Sequence, residues 1–476
     1  MNTLTKTKSP GQVPDIKNNG GCIATRLLKI TQTAENAGDR LTELPPVEFG
    51  DCPDHTESSV MVDAAHCFQT IEGFGGAFTE ASAVTLLKMS PEAQEQILRA
   101  YFDVESGHGY TLCRTHINSC DFSLGNYAYT EVPGDTELEH FSIERDRKAL
   151  IPMIKRATRA AGGTLKLFAS PWSPPAWMKT TGVMNQGGKL KPEYQDAWAR
   201  YYCRYIREYE REGIPIWGLT VQNEPEATQK WDSCIYTGEE ERDFVRDHLG
   251  PALHADGLGD VRLIIWDHNR DRMFERAKAV YDDPDAAKYV WGTGFHWYMG
   301  DFFENCQRVH DAWPEKKLLF TEGCAENGPH IKSWQVGERY ARSMIQDLNH
   351  WTVGWVDWNL VLDETGGPNH VNNLCSAPVI CDTKSGEVLY LSSYYYIGHF
   401  SRFIRPGAKR ISCASTRDEL EATAFINPDG EIAVVVLNRS EKSIPFALKG
   451  NGVAAMVQSL PHSILTLRFD AGSGQH

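Results

Sequence analysis

Two short stretches place carboxylates where acid–base or nucleophilic chemistry could use them. Gln222-Asn-Glu-Pro225 ends one apolar, β-rich run and Thr321-Glu-Gly323 ends another. Hydrolysis of a glycosidic bond needs such a pair. One carboxylic acid protonates the leaving oxygen, and a second carboxylate faces it across the bond. Glu224 is the candidate acid, with its backbone fixed by Pro225 and with Asn223 beside it to bond a sugar 2-hydroxyl. Glu322 is the candidate nucleophile, held ionised by donors such as Arg114 and Tyr298. Its charge is expected to raise the pKa of Glu224 and keep it protonated near neutrality. Other β-rich runs end in Ser119-Cys-Asp121, Pro171-Trp172, Asp267-His-Asn269, His296-Trp-Tyr298 and Asp357-Trp-Asn359. Aromatic faces stack on sugar rings, while Asn, Asp and His bond their hydroxyls. The same ends offer no glycine-rich phosphate loop, no lysine suited to a Schiff base and no His/carboxylate ligand cluster. No cofactor and no metal are therefore expected.

These residues need a scaffold that brings distant strand ends together. Between about Thr70 and Phe400, short apolar runs alternate with longer helix-period stretches. The expected strands are Ile71–Gly76, Tyr110–Asn118, Thr164–Ser170, Ile214–Gln222, Arg262–Asp267, Tyr289–Tyr298, Lys317–Thr321 and Val353–Leu362. Stretches such as Pro91–Phe102, Glu144–Ala161, Pro192–Glu212 and Ser333–Asn349 have helical periodicity. Eight strand–helix units predict a (β/α)₈ TIM barrel, whose active site lies at the C-terminal ends of the strands. After Arg405-Pro-Gly407 the helical period disappears. Ala422–Ile426, Glu431–Leu437 and Ile464–Phe469 are expected strands, with Asn427-Pro-Asp-Gly430 a turn. The domain plan is a disordered lead-in (1–20), N-terminal strands (21–69), the catalytic barrel (70–402) and a C-terminal all-β part (403–476). The two flanking pieces are expected to form one attached β-sandwich from both chain ends.

Composition narrows the partners. The 476-residue chain carries 63 acidic and 48 basic residues, a formal charge of -15. A nucleic-acid binder needs clustered positive charge, so none is expected to bind. No run of 18 or more apolar residues occurs, so no integral membrane association is expected. The N-terminus has no apolar core of the secretory type, which predicts a cytoplasmic protein. The 12 cysteines are scattered without a CxxC pair, and are expected to be buried free thiols.

Seven motifs, in order, resemble one family. They are Gly73-Phe-Gly-Gly-Ala-Phe-Thr-Glu80, Ser119-Cys-Asp-Phe-Ser123, Ala169-Ser-Pro-Trp-Ser-Pro-Pro-Ala-Trp-Met-Lys-Thr180, Gln222-Asn-Glu-Pro225, His296-Trp-Tyr298, Thr321-Glu-Gly-Cys324 and Gly354-Trp-Val-Asp-Trp-Asn-Leu360 with Gly366-Gly-Pro-Asn369. Over roughly residues 70–400 the chain resembles glycoside hydrolase family 30, and most of all its glucosylceramidase (acid β-glucosidase) group. The resemblance implies a retaining β-glycosidase with Glu224 as acid/base and Glu322 as nucleophile. It implies a sugar subsite lined by Asp121, Trp172, Asn223, His296, Tyr298, Trp358 and Asn373, with Arg114 near the nucleophile. It also implies a β-glucoside, glycolipid or oligosaccharide substrate. The family's β-1,6-glucanases, β-xylosidases and β-fucosidases are the alternatives, and loop shape decides among them. The chain departs from the pattern at His370, where relatives carry an aromatic residue. A non-catalytic carbohydrate-binding protein on the same scaffold would have lost one of the two glutamates, and both are present.

Overall fold

A computed structural model describes residues 27–51, 58–450 and 452–471. The expected lead-in (1–20), the start of the expected N-terminal strands (21–26), Cys22 and Cys52 lie outside the described residues.

Eight parallel strands close into a barrel in sequence order. They are β1 (Gly73–Phe78), β2 (Leu112–Ile117), β3 (Lys166–Pro171), β4 (Gly218–Thr220), β5 (Arg262–Asn269), β6 (Val290–His296), β7 (Lys317–Glu322) and β8 (Thr352–Asn359). Leu112, Phe168, Ile264, Leu319 and Val356 meet in the lumen as a small apolar cluster, so the barrel is a packed core rather than a pore. β1 has room only for glycine at one position. A Cβ on Gly75 would lie 1.8 Å from the Leu112 carbonyl oxygen on β2.

Amphipathic helices sheathe the strands. The helix Pro91–Phe102 begins with an N-cap bond from the Ala93 N–H to the Ser90 hydroxyl and has Pro at its first position, where the missing N–H is not needed. It buries Ile97, Leu98, Tyr101 and Phe102 against the barrel. Gln195–Arg211 likewise buries Trp198, Tyr202, Tyr205 and Ile206. Among the described residues no helix is long and apolar enough to cross a membrane.

The second domain draws strands from both ends of the chain, as expected. Leu27–Ala34 pairs antiparallel with Ser463–Asp470, and Ser59–Thr70 pairs antiparallel with Lys409–Ser415. Alternating Val434, Val436, Leu465, Leu467, Phe446 and Leu448 fill its core. A buried histidine joins the domains. His399, on the helix Ser392–Ser401, bonds Thr466 Oγ1 at 2.8 Å and Thr33 Oγ1 at 2.9 Å through its two ring nitrogens. Burial pushes its pKa down to about 3, so it is neutral.

Two strands differ from their sequence outlines. β4 is only Gly218–Thr220, because Pro215 has no N–H to give a ladder and the chain after Val221 turns toward the barrel mouth. The run after Val353 splits in two. β8 ends at Asn359, and Val361–Asp363 leaves the barrel to pair with Val379–Cys381 in a three-stranded sheet with Val388–Tyr390. That sheet has no alternating signature, since its strands are three residues long.

Candidate active site

The strand ends converge at one mouth, on a cavity of about 510 Å³. Its wall includes Asp121, Trp172, Asn223, Glu224, Tyr298, Glu322, Trp358 and Asn373. These are eight of the ten residues singled out from sequence. Arg114 and His296 are fully buried immediately beneath.

Arg114, on β2, is the hub. Its Nη1 donates to Glu322 Oε2 at 2.6 Å. Nη2 donates to Asn223 Oδ1 at 2.9 Å and to Asp267 Oδ2 at 2.8 Å, and Nε donates to Ser170 Oγ at 3.0 Å. Trp172 lies against the guanidinium, its ring centroid 4.8 Å away. One planar cation thus ties the ends of β2, β3, β4, β5 and β7. Its buried charge is tolerable because two carboxylates neutralise it and its donors are bonded.

Glu322 ends β7. Its second oxygen, Oε1, accepts the Tyr298 hydroxyl at 2.8 Å, so both oxygens are fixed. Glu224 comes after the end of β4 with φ of 47°, a left-handed conformation that a residue before proline avoids unless its surroundings impose it. The bond from the Glu224 N–H to the Asp267 carbonyl, at 3.0 Å, holds it there. Trp266 and Asp267 also have positive φ, 71° and 52°. The ladder of β5, β6 and β7 shifts register at Gly294/Phe295 and at Phe295/His296. Such irregularities re-aim side chains at strand ends, and here they bring His296 between two acids.

His296 Nδ1 lies 3.3 Å from Glu224 Oε1, and Nε2 lies 3.0 Å from Asp267 Oδ1. Burial alone would lower its pKa. The charge of Glu322 and the bonds to Asp267 and Glu224 instead push it up to about 9. Asp267 is buried too, yet the Arg114 charge and the His296 and Thr220 bonds hold it well below the ordinary carboxylate range. His296 is therefore a cation at neutral pH, with both nitrogens donating.

The two glutamates divide differently from the sequence expectation. Burial raises Glu322, and although His296 and Arg114 oppose it, the charge of Glu224 adds to the rise, so Glu322 stands above the usual glutamate value. Burial also acts on Glu224, but the His296 bond and the nearby His268 charge outweigh it and hold Glu224 below the usual value. The lowered pKa thus belongs to Glu224, beside two histidines, and the raised one to Glu322. The sequence reasoning counted the repulsion between the acids and omitted the imidazolium between Glu224 and Asp267.

One oxygen of each glutamate and one His296 nitrogen lie within 4.8 Å of one another. The spacing would admit a cation, but the donor chemistry does not suit one. A ligating histidine must present a lone pair, and His296 has a proton on each nitrogen, committed to a carboxylate.

The remaining residues form a sugar-sized wall. Trp172 and Trp358 stack with centroids 5.1 Å apart. Asn373 Nδ2 donates to Asp121 Oδ2 at 2.8 Å, while buried Asp121 Oδ1 has no partner among the described residues. An unpartnered acceptor in a pocket wall is a place for a ligand hydroxyl. Sequence reasoning missed the roles of Asp267, Ser170 and Thr220. It named Asp267 only as a strand-end acid; His296 pairs in register with Asn269, and Asp267 is the residue the ladder skips at its shift, so nothing along the chain pointed to the contact. Trp177 is not in the wall; its Nε1–H donates to the Thr130 carbonyl at 3.2 Å. His370 also lies off the wall, where its Nδ1 bonds the Ser123 carbonyl at 2.9 Å and braces the loop that carries Asn373.

Comparison with known proteins agrees with this geometry. Residues 71–404 match the glycosyl hydrolase family 30 TIM-barrel domain, and residues 407–467 match the family 30 beta sandwich domain. The chain is 38% identical over 400 residues to lysosomal acid glucosylceramidase of Mus musculus, covering 80% of this chain and 77% of that protein. Among solved structures, SrfJ from Salmonella typhimurium superposes with a TM-score of 0.90 at 38% identity, over 93% of this chain and 99% of SrfJ. The endo-beta1,6-glucanase BT3312 superposes with a TM-score of 0.85 at 29% identity, over 94% and 100% of the two chains. A closed parallel barrel, a sandwich made from both chain ends and two glutamates facing each other at the barrel mouth accompany a family match along nearly the whole described chain: this protein is a glycoside hydrolase of family 30.

Proposed function

We propose that the protein is a retaining β-glucosidase of the glucosylceramidase type, with Glu322 as nucleophile and Glu224 as acid/base. The observation that supports this most is the separation of the acids, with oxygens of Glu224 and Glu322 within 4.8 Å. Retaining enzymes hold the two carboxyl groups about 5–5.5 Å apart, and inverting enzymes leave about 6.5–9.5 Å for a water.

In the first step Glu322 attacks the anomeric carbon and Glu224 protonates the departing oxygen, leaving a glycosyl ester on Glu322. In the second step Glu224 takes a proton from water, which attacks the same carbon and frees Glu322. Arg114 and Tyr298 fix both oxygens of Glu322, so no reorientation is needed before attack. The proton for Glu224 is close at hand. His296 carries it, one 3.3 Å contact away, and entry of a neutral sugar strips water from Glu224 and favours its protonated form.

The leaving-group side of the cavity favours a second reading of the substrate. Around Glu224 the wall includes Glu226, Gln229, Trp231, Asp271 and Arg272, with Ala227 and Met299 its apolar members, and Glu226 pairs with Arg272 at 3.0 Å. One aromatic platform among charged and amide groups suits a sugar better than a lipid tail. A β-1,6-linked glucan is the alternative to glucosylceramide.

The test has two parts. Glu322→Ala should abolish turnover of aryl β-glucosides, and azide should restore part of it with an α-linked azide product. Unchanged activity, or a β-linked product, refutes the nucleophile assignment. A panel of aryl β-glucoside, -xyloside and -fucoside, glucosylceramide and a β-1,6-glucan then separates the substrates by kcat/KM.

A further inference from the structure

Two cysteines from different loops meet in the same wall as the catalytic acids. Cys324 lies two residues beyond Glu322, and Cys375 lies two residues beyond Asn373. The loops that follow β7 and β8 run antiparallel at this point, with Glu326 bridged to Cys375 and the Ser376 N–H donating to the Ala325 carbonyl at 2.8 Å. This pairing places the two thiols in one buried cluster with Trp172 and Trp358. Both residues are 2% exposed, both are free thiols, and both line the cavity. The Tyr298 hydroxyl is 3.6 Å from Cys324 Sγ, and that same hydroxyl donates to Glu322.

We propose that Cys324 and Cys375 form a dithiol site for a soft, trivalent thiophile, which bridges the two sulfurs and closes the catalytic cavity. The nature of the thiols selects this chemistry over oxidation. The Cys375 contact and burial raise Cys324 well above the ordinary thiol range, so little thiolate is available to attack a peroxide. A trivalent arsenical needs no free thiolate and no oxidant. With an arylarsine oxide, two As–S bonds form, the As–O double bond breaks and both thiol protons leave with the oxygen as water, while arsenic stays trivalent. The second bond closes intramolecularly, so the bridge resists exchange far better than a single As–S bond. The bridged arsenic places its aryl group in the cavity beside Tyr298 and Glu322.

Phenylarsine oxide is the probe. One equivalent should eliminate turnover, and intact mass should rise by one phenylarsenic group per chain. 2,3-Dimercaptopropanol should reverse both changes, and 2-mercaptoethanol at the same thiol concentration should not. In Cys375→Ala, measured against its own untreated rate, the monothiol should reverse both changes within the same time. Equal reversal of the wild-type adduct by either reagent would overturn the proposal, as would dithiol-only reversal persisting in Cys375→Ala. Cys324→Ala supplies the same readout should Cys375→Ala fail to fold. The mass measurement is independent of the reaction assigned to the enzyme.

Discussion

Tyr298→Phe isolates one hydrogen bond at the nucleophile. The hydroxyl donates to Glu322 Oε1 at 2.8 Å, while Oε2 keeps its 2.6 Å bond to Arg114. The substitution removes a donor without removing the ring or the ion pair. A hydrogen bond to a buried charged group contributes about 1.5–3 kcal/mol. This one stabilises the carboxylate and not the carboxylic acid, so its loss raises the Glu322 pKa. At 1.36 kcal/mol per unit, the acid limb of the rate profile should move to higher pH by about 1–2 units. Nucleophilic attack requires ionised Glu322 in the free enzyme, so the limb is read in kcat/KM against pH with an aryl β-glucoside. At a pH well above the limb, the variant should regain most of the rate lost at acid pH. The reasoning fails if the limb stays in place or moves down in a variant whose thermal unfolding matches the parent. It also fails if the rate is lost equally at every pH, which would mean that Tyr298 positions substrate and leaves the charge of Glu322 unaffected.

Glu224→Gln should spare the glycosylation step for aryl glucosides with very acidic leaving groups and slow alkyl glucosides much more; equal loss on both would exclude the acid role. His399 should make the domain junction labile to acid. Its folded pKa of about 3 lies below the unfolded value, so its contribution is present above about pH 6.5 and is lost as pH falls toward 3. Between about pH 6.5 and 4.5 this amounts to about 2–3 kcal/mol, and His399→Asn should flatten that part of a denaturant-midpoint profile against pH. Gly75→Ala should cost at least about 1–3 kcal/mol, because the new Cβ would sit 1.8 Å from the Leu112 carbonyl oxygen in a backbone ladder. A Gly75→Ala protein with unchanged thermal unfolding would show that β1 and β2 are not packed as described.

The sequence by itself determined the architecture. Eight apolar runs separated by amphipathic stretches can bury their strands only under surrounding helices, and that requirement produces a parallel barrel. A barrel in turn forces Asn223, Glu224, His296 and Glu322, each at a strand end, to one mouth. The turn at Asn427–Gly430 and the loss of helical period likewise announced the sandwich. The three-stranded sheet beside β8 was not legible, because three-residue strands are too short to display a period.

Tertiary structure decided the electrostatics and the rim. No pattern along the chain shows that Asp267, 29 residues before His296, would bond its ring and charge it, because a pKa depends on atoms brought together by register and bulges rather than by sequence spacing. For the same reason the expected rise in Glu224 became a fall, with two histidines closer to it than the sequence could show. Trp172 and Trp177 are five residues apart in one motif, yet only Trp172 reaches the cavity, since the orientation of a loop residue is set by what it packs against. The meeting of Cys324 with Cys375 has the same origin. Two loops that the chain separates by a helix and two strands become neighbours only when the barrel closes.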